Sequence, residues 1–542
     1  MNRLFCLTSE HMSFKAHHLP YRNTHSFSQL VYHYLDADVS LQPYFSYQPD
    51  MEGIGKAIET RKFSSANRNA LVAELNRQYL GINPHPAVIK NLELLAREHC
   101  FTVCTAHQPN IFTGHLYFVY KILHAIKLAA QLKSSFPEKD FVPVFFMGSE
   151  DADLNELGEV FFGGEKMNWQ TTQQGAIGRM QVDKSLLKML DDISGQLGVL
   201  PQGGDVMDLL RRSYVAGTTI EQATFSLVNE LFGKFGLVIL LPDSAPIKRM
   251  FVPVMEMELK EKFSAGAVKE TLAGYPKNFR IDSFGRDINL FYLDENGRNR
   301  IEQKGDSFFV EHTSRQFTRE EIIQDLHAHP ERYSPNVILR PVLQETILPN
   351  VAFIGGGGEL AYWLRLKLVF EKAAIDFPVL ILRNSFLLIS KKMGGLMKKL
   401  DLGVPQLFLD EVTLSAEWVR EHSGLQLILQ KEKEELSQIY MKMQQVADKV
   451  DPTLAVHTNA LLVQGLKKID ALEKKLVRAA KKKHEAAIRE IGFLKGELFP
   501  GGLQERVENI MFWLAIHGME FLDVLLQESS SIEPRFTVLE EA

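Results

Sequence analysis

Thr102-Val-Cys-Thr-Ala-His-Gln-Pro-Asn-Ile-Phe-Thr-Gly-His-Leu-Tyr-Phe-Val-Tyr-Lys121 opens a stretch that closes on Phe141-Val-Pro-Val-Phe-Phe-Met-Gly-Ser-Glu-Asp-Ala-Asp-Leu-Asn-Glu156. Two apolar runs, each ending in polar residues, flank a helical pattern. Over Leu116–Leu132, the residues Val119, Ile122, Leu123, Ile126 and Ala130 recur at helical spacing. The order strand, polar loop, helix, strand, acidic loop is one βαβ unit. Its unusual polar residues fall at the carboxyl ends of both strands, where open α/β sheets bind ligands.

Further strands extend this unit. Gly236-Leu-Val-Ile-Leu-Leu-Pro-Asp243 is a continuous apolar run, the pattern of a buried parallel strand. Val337–Thr346 reads as a resumption of the core, with Arg340 and Gln344 flanking a strand. Pro349–Ile354 reads as a short strand leading through Gly355–Gly358 into a helix. Phe377–Arg383 reads as the last core strand. Between them, Ile288–Leu293, the turn Asp294–Gly297, Arg300–Glu302 and Phe308–Val310 read as antiparallel hairpins inserted into the core.

The expected fold class is therefore α/β: a Rossmann-type parallel-sheet core with connecting insertions, plus an α-helical antiparallel coiled-coil arm. The expected division is a mainly helical region 1–96, and a core 97–414 with insertions near 161–235 and 262–335. A coiled-coil hairpin 415–497 and a C-terminal helix in 498–542 follow. In the arm, Leu436, Ile439, Met443, Val446 and Val450 are spaced 3, 4, 3, 4. After Asp451-Pro452, Ile469, Leu472, Leu476 and Ala479 repeat 3, 4, 3. The charges at Lys431–Glu435 and Lys481–Lys483 read as solvated faces of this coil. A single helix from Arg506 to about Gln527 is expected to pack back on the core. In the first region, Asn67 reads as a helix N-cap, and Arg61 and Arg68 as candidate ligand-facing cations.

Composition narrows the function class. Hydrophobic residues are 45% and charged residues 24% of the 542, ordinary globular usage. A net charge of −6 argues against a general nucleic-acid binder. The three cysteines, Cys6, Cys100 and Cys104, are too few for a disulfide framework or a four-cysteine zinc site. Cys100 and Cys104 read as buried thiols. The first residues lack a signal-peptide pattern and no window matches a membrane span, so a cytoplasmic location is expected.

The first loop gathers His107, Gln108, Asn110, Thr113, Gly114 and His115, followed on the helix by Tyr117 and Lys121. These are donors suited to an anionic group near a helix amino end. The second loop brings Glu150, Asp151 and Asp153 together. Such acids can hold Mg²⁺, act as a base, bind an amine, or cap a helix. The turn Gly355–Gly358 with Gly356, Gly357, Glu359 and Tyr362 is neither a Walker A motif nor a dinucleotide fingerprint. Arg340, Gln344, Arg383 and Asn384 are further candidates to bind substrate. Ser390-Lys-Lys-Met393 echoes the lysine loop of nucleotide-activating enzymes but reads as an ordinary helix.

These segments resemble the cysteine-adding enzymes of bacillithiol biosynthesis, the cysteine ligase (BshC) family. The resemblance is carried by His107-Gln-Pro-Asn-Ile-Phe-Thr-Gly-His-Leu-Tyr117 with Tyr120-Lys121, and by Glu150-Asp-Ala-Asp153 with Glu156. Arg340-Pro-Val-Leu-Gln344 with Leu348-Pro349, Gly356–Glu359 with Tyr362, Pro378…Arg383-Asn-Ser385 and Gln504-Glu-Arg-Val507 complete it. The order and spacing cover nearly the whole chain. The resemblance implies a ligase joining cysteine to glucosaminyl-malate through an amide, with the cysteine carboxyl activated by ATP or another nucleotide. It also implies a homodimer formed through the coiled coil. The catalytic roles fall on His107, His115, Glu150, Asp151 and Asp153. The chain departs from the family pattern at Ala106-His107, where Gly-Gln is usual, at His115, where Pro is frequent, and at Ala152, where a histidine is usual. Proton transfer by an imidazole then falls to His107 or His115, or the substrate differs. Alternatives from other classes are a nucleotide-binding scaffold and a nucleotidyltransferase-like enzyme activating another carboxylic acid.

Overall fold

The structure, a computed structural model, describes residues 13–279, 285–294, 297–424 and 426–542. Cys6, the signal-peptide reading of the first residues, and positions 295–296 of the expected hairpin turn lie outside the described residues.

Five parallel strands form the central sheet, in the order Val379–Leu382, Asn350–Gly355, Cys100–His107, Asp140–Met147, Val238–Leu240. Apolar residues on both faces bury all five, as a parallel sheet covered by helices requires. From Cys100–His107 the chain steps outward to Asp140–Met147 and then Val238–Leu240. It returns to build the other side with Asn350–Gly355 and Val379–Leu382. The strand order therefore reverses between Cys100–His107 and Asn350–Gly355, and a crevice opens there at the carboxyl edge. The helix Leu116–Ser135 makes the first crossover and is buried along most of its length.

The stretch Val337–Thr346 is not a strand. Leu339–Ile347 is a helix, with Pro341 in its first turn, where a missing N–H costs nothing. A short apolar run reads alike as strand or buried helix, and here Leu339, Val342, Leu343 and Ile347 keep helical spacing. The inserted hairpins form a five-stranded antiparallel sheet running from Gln316–Phe317 through Ser307–Val310, Gly297–Lys304 and Leu290–Asp294 to Tyr333–Pro335.

The termini depart from the helical expectation. Phe14–Pro20 pairs antiparallel with Arg535–Glu541, which pairs parallel with Ser385–Ile389. The expected single helix after Arg506 is two, Ile510–His517 and Phe521–Glu528, bent by 116°. Gly518 at the break has φ 78°, which a glycine adopts freely. Both helices bury their apolar residues in the core. Among the described residues no single helix is long and apolar enough to cross a membrane.

Arg61 and Arg68 are structural. Arg61 donates to the carbonyls of Glu345, Leu348 and Asp376 and pairs with Glu345 at 3.1 Å. Arg68 donates to the carbonyls of Leu95, Cys100 and Glu98. Ser64, not Asn67, caps its helix, accepting from Asn67 N–H. Cys100 and Cys104 are free and buried. Burial pushes the Cys100 thiol up to about 12 and Cys104 well above its usual range. Ser390 caps the ordinary helix Lys391–Lys399.

The arm is a hairpin of Gln430–Val450 and Pro452–Lys483 joined at Asp451. Lys433 pairs with Asp470 and Glu473, both at 2.7 Å, which sets the two runs antiparallel.

Candidate functional site

His107 ends the central strand at the crevice. Its Nδ1 lies 3.2 Å from the Gln108 carbonyl, and its ring packs on Tyr117 and Phe118 at 5.4 and 5.5 Å. The contact to a carbonyl places the proton on Nδ1 and leaves the Nε2 lone pair free. Burial, with Lys121 nearby, holds the imidazole down at about 3, so it is neutral at physiological pH.

Beyond it, the loop folds tightly. Phe112 and Thr113 have φ 51° and 71°, and Gly114 follows at 59°. A Cβ on Gly114 would stand 2.8 Å from the Asn110 Cβ, so both conformation and space demand glycine. Asn110 and Thr113 are buried, and Asn110 Oδ1 and Thr113 Oγ1 have no hydrogen-bond partner. His115 is the N-cap residue of Leu116–Ser135, with Nδ1 3.0 Å from the Val507 carbonyl. The amino end expected to receive an anion is partly closed by the chain itself, since Leu116 N–H donates to the Glu508 carbonyl at 2.8 Å.

Lys121 crosses the crevice. Buried itself, it donates to the Ala106 carbonyl and to Glu359 Oε2, the latter at 2.6 Å. Glu359 Oε2 also accepts from Gly356 N–H at 2.8 Å. Burial pushes the Glu359 carboxyl up, but Lys121 and the Gly356 N–H together outweigh it and hold the group below its usual range. Gly357 is required by packing, since a Cβ there would meet Phe27 at 2.6 Å. A Cβ on Gly356 would face Glu359 and Arg383 at 3.5 and 3.6 Å, an ordinary contact.

Arg340 differs from every other cation on this edge. It donates to Gln344 Oε1 at 3.2 Å and to the Tyr362 hydroxyl at 3.0 Å, and lies over the Phe146 ring at 5.6 Å. Those hydrogen-bond partners are neutral and the Glu359 carboxylate acts on Arg340 only through space, whereas Lys121, Arg383, Lys248 and Arg179 each form an ion pair with a carboxylate. Gln344 is buried and passes a bond on to Glu345 at 2.9 Å.

The acidic loop divides. Asp151 accepts from Gln108 Nε2 at 2.9 Å, joining the two loops, and has Arg298 at 4.0 Å. Glu150 is buried against Lys248, which also stands 3.3 Å from Asp243, and Arg179 holds Asp243 with two bonds of 2.7 and 2.8 Å. Asp153 leaves the cluster: it caps the short helix Leu154–Leu157, accepting from Glu156 N–H. Ala152 is exposed beside it.

Two further expectations change place. The Arg383 guanidinium lies over Tyr117 at 5.3 Å but is committed to Glu505 by two bonds of 2.9 and 2.8 Å. Asn384 turns into the core, with Nδ2 on the Ser530 carbonyl and its N–H on His124 Nδ1. Lys248, Asp243, Arg179, Arg298 and Glu505 were not singled out as site residues. The sequence signal available was Asp243 closing an apolar strand. Arg298 arrives from an insertion with no local pattern to mark it, and Glu505 lies in the Gln504–Val507 segment that carries the resemblance, which gives it no site role by itself. The acids do not converge on one metal position: Glu150 and Asp243 are paired with Lys248 and Arg179, Asp151 accepts from Gln108 with Arg298 at 4.0 Å, and Asp153 caps a helix. Among the described residues no group of three potential ligands forms.

The fold and this crevice define a Rossmann-like α/β protein whose polar site lies at a topological switch point, with a coiled-coil arm attached. Residues 14–384 match the family "Bacillithiol biosynthesis BshC, N-terminal Rossmann-like domain", and residues 386–541 match "Bacillithiol biosynthesis BshC, C-terminal coiled-coil domain". A protein from Flavobacterium johnsoniae named "Putative cysteine ligase BshC" is 36% identical over 96% of this chain and 99% of its own. Proteins of the same name from Cytophaga hutchinsonii and Chlorobaculum tepidum are 34% and 30% identical, over 96% and 84% of this chain and 98% and 86% of theirs. The chain belongs to the BshC family of bacillithiol biosynthesis.

Proposed function

We propose that this protein is a ligase that joins the carboxyl of cysteine to the sugar amine of glucosaminyl-malate, forming an amide. The observation that carries the reading is Arg340, a guanidinium at the switch-point crevice whose hydrogen-bond partners are neutral. A carboxylate ligand would complete it as an ion pair, and malate supplies carboxylates. At the same sheet edge the neutral His107, with Nδ1 on the Gln108 carbonyl, can accept a hydrogen bond from the substrate amine through Nε2, while its low pKa makes it too weak a base to keep the proton. Gln108 and Asp151 join the first and second loops at 2.9 Å, and Asp151 would hold the cysteine ammonium. Relatives named as cysteine ligases along nearly the whole chain support the assignment.

A carboxylate does not acylate an amine unaided, so ATP is proposed as the activating co-substrate. Any Mg²⁺ would then come with its phosphates, since the paired acids do not fit a protein-held ion. We also propose a cytoplasmic homodimer joined through the arm. The test is incubation of the purified protein with cysteine, glucosaminyl-malate and Mg·ATP, with the products followed by mass spectrometry. The expected result is the amide together with a nucleotide cleavage product. A folded protein that yields neither sinks the reading.

A further inference from the structure

Five consecutive residues from the coiled-coil half of the chain, Glu505–Asn509, touch the Rossmann half in series, and Gln504 before them anchors the segment on the strand Ser385–Ile389. Gln504 exchanges hydrogen bonds with the backbone of Leu388, its Oε1 accepting at 2.8 Å and its Nε2 donating at 3.0 Å. Glu505 takes Arg383 in two bonds. Arg506 donates to the Ser26 carbonyl at 2.9 Å. The Val507 carbonyl faces His115 Nδ1, and the Glu508 carbonyl accepts Leu116 N–H. Asn509 completes the strap: its Nδ2 donates to both the Phe112 carbonyl at 2.8 Å and the Gly114 carbonyl at 2.6 Å.

Asn509 therefore bridges the two ends of the left-handed turn Phe112–Gly114. Phe112 and Thr113 carry a Cβ and disfavour that conformation, so the turn persists only where its surroundings over-determine it. The Tyr214 hydroxyl bonds Phe112 N–H at 2.8 Å from one side, and Asn509 bonds the carbonyls from the other. The turn lies between His107, which ends the strand five residues before it, and His115 and Tyr117, which follow it.

We propose that Asn509 is a positioning residue for the site, holding the Phe112–Gly114 turn so that the His107 and His115 imidazoles face the crevice in register. The inference rests on the ligase reading for its kinetic test but not for its spectroscopic one. Asn509 also caps the helix Ile510–His517, its Oδ1 accepting from Met511 N–H at 2.8 Å. Serine and threonine can take over the cap, so Asn509→Ser and Asn509→Thr keep it and remove the amide donors without burying a charge against the Phe112 and Gly114 carbonyls.

In both variants the melting temperature should stay within a few degrees, while kcat/KM for amide formation falls about 10- to 100-fold, the scale of a small misplacement of reacting groups. In ring-resolved NMR titrations the His107 and His115 signals should move from their wild-type positions. Folded variants with kcat/KM within about threefold of wild type overturn the proposal. So does a loss in both variants that is fully accounted for by their unfolded fraction. If the wild-type protein forms no amide, the ligase reading fails and the titrations decide: unmoved histidine signals in a folded variant overturn the strap, and moved signals support it.

Discussion

Lys121 and Glu359 meet at 2.6 Å across the crevice where the strand order reverses, the lysine buried and the carboxylate one-quarter exposed. Lys121 comes from the crossover helix after the first loop, and Glu359 from the helix after the glycine turn. Their pair ties the two sides of the switch point together. Glu359→Gln keeps a side chain able to reach back to Gly356 N–H, as glutamine does in capping boxes, so it isolates the charge. It leaves Lys121 buried without its counter-ion, a loss of about 3 kcal/mol. Urea unfolding of the purified variant measures it. A loss below about 1 kcal/mol would show that the pair contributes little.

Arg340→Gln should behave differently. Its hydrogen-bond partners are the neutral Gln344 and Tyr362, and the nearby Glu359 carboxylate keeps Lys121, so its removal breaks no ion pair. Stability should fall by about 1 kcal/mol or less, the scale of ordinary hydrogen bonds. Binding of the acidic substrate should weaken about 10- to 100-fold, because a charge-assisted pair with a carboxylate is lost. Calorimetry with glucosaminyl-malate reads this directly. Unchanged affinity would remove Arg340 from the site.

The contrast between these two residues explains what the sequence could and could not convey. Strands with continuous apolar runs and polar ends, such as Phe141–Met147, announce themselves because burial on both faces imposes their composition. The helix Leu339–Ile347 did not, since a short apolar segment satisfies either period. The edge strand Phe14–Pro20 is half exposed and pairs with residues more than 500 positions away, so no local window contains its reason for forming. In the site, His107, Gln108 and Lys121 were legible as polar residues at a strand end. That Arg383 belongs to Glu505, and Glu150 to Lys248, was not legible, because ion-pair partners are chosen by tertiary proximity. Type and place identify a candidate, but only the partner list separates an available cation from a committed one.

Two buried histidines set a pH dependence. His124 Nε2 faces the Ser531 carbonyl at 2.9 Å and its Nδ1 accepts Asn384 N–H, an arrangement that only the neutral ring satisfies. Burial lowers it to about 4, and burial with Lys121 lowers His107 to about 3. An unfolded histidine titrates near 6.5. Below that value the unfolded chain takes up protons that the folded chain refuses, so this stability is complete above pH 6.5 and is lost as pH falls toward 4. Each ring contributes a slope of up to about 1.4 kcal/mol per pH unit in that window. Buried Glu221 and Glu508, both raised to about 7, act in the opposite sense over this window, so the ring's share is read from a difference: across pH 7.5, 6.5, 5.5 and 4.5 the unfolding free energies of wild type and His124→Gln should differ in slope by roughly one ring's share. An equal slope in the variant would mean that His124 titrates normally. The same shift predicts that kcat/KM has no inflection from His107 between pH 5 and 8.

The arm offers the last test. Its hairpin has two helices, and a two-helix seam cannot bury apolar residues all round. Toward the Asp451 bend, Val446, Val450 and Val456 are 66%, 75% and 74% exposed. A second copy of the chain laid against this end would cover them, the arrangement expected of a homodimer joined through the arm. Val450→Glu with Val456→Glu places charge on that surface and removes nothing from the chain's own core, so stability of the single chain should change by about 0.5 kcal/mol or less. Sedimentation equilibrium should find the wild-type protein as a dimer at micromolar concentration and the double variant as a single chain. A wild-type protein that sediments as a single chain removes the dimer. A double variant that stays dimeric moves the interface away from the tip of the arm.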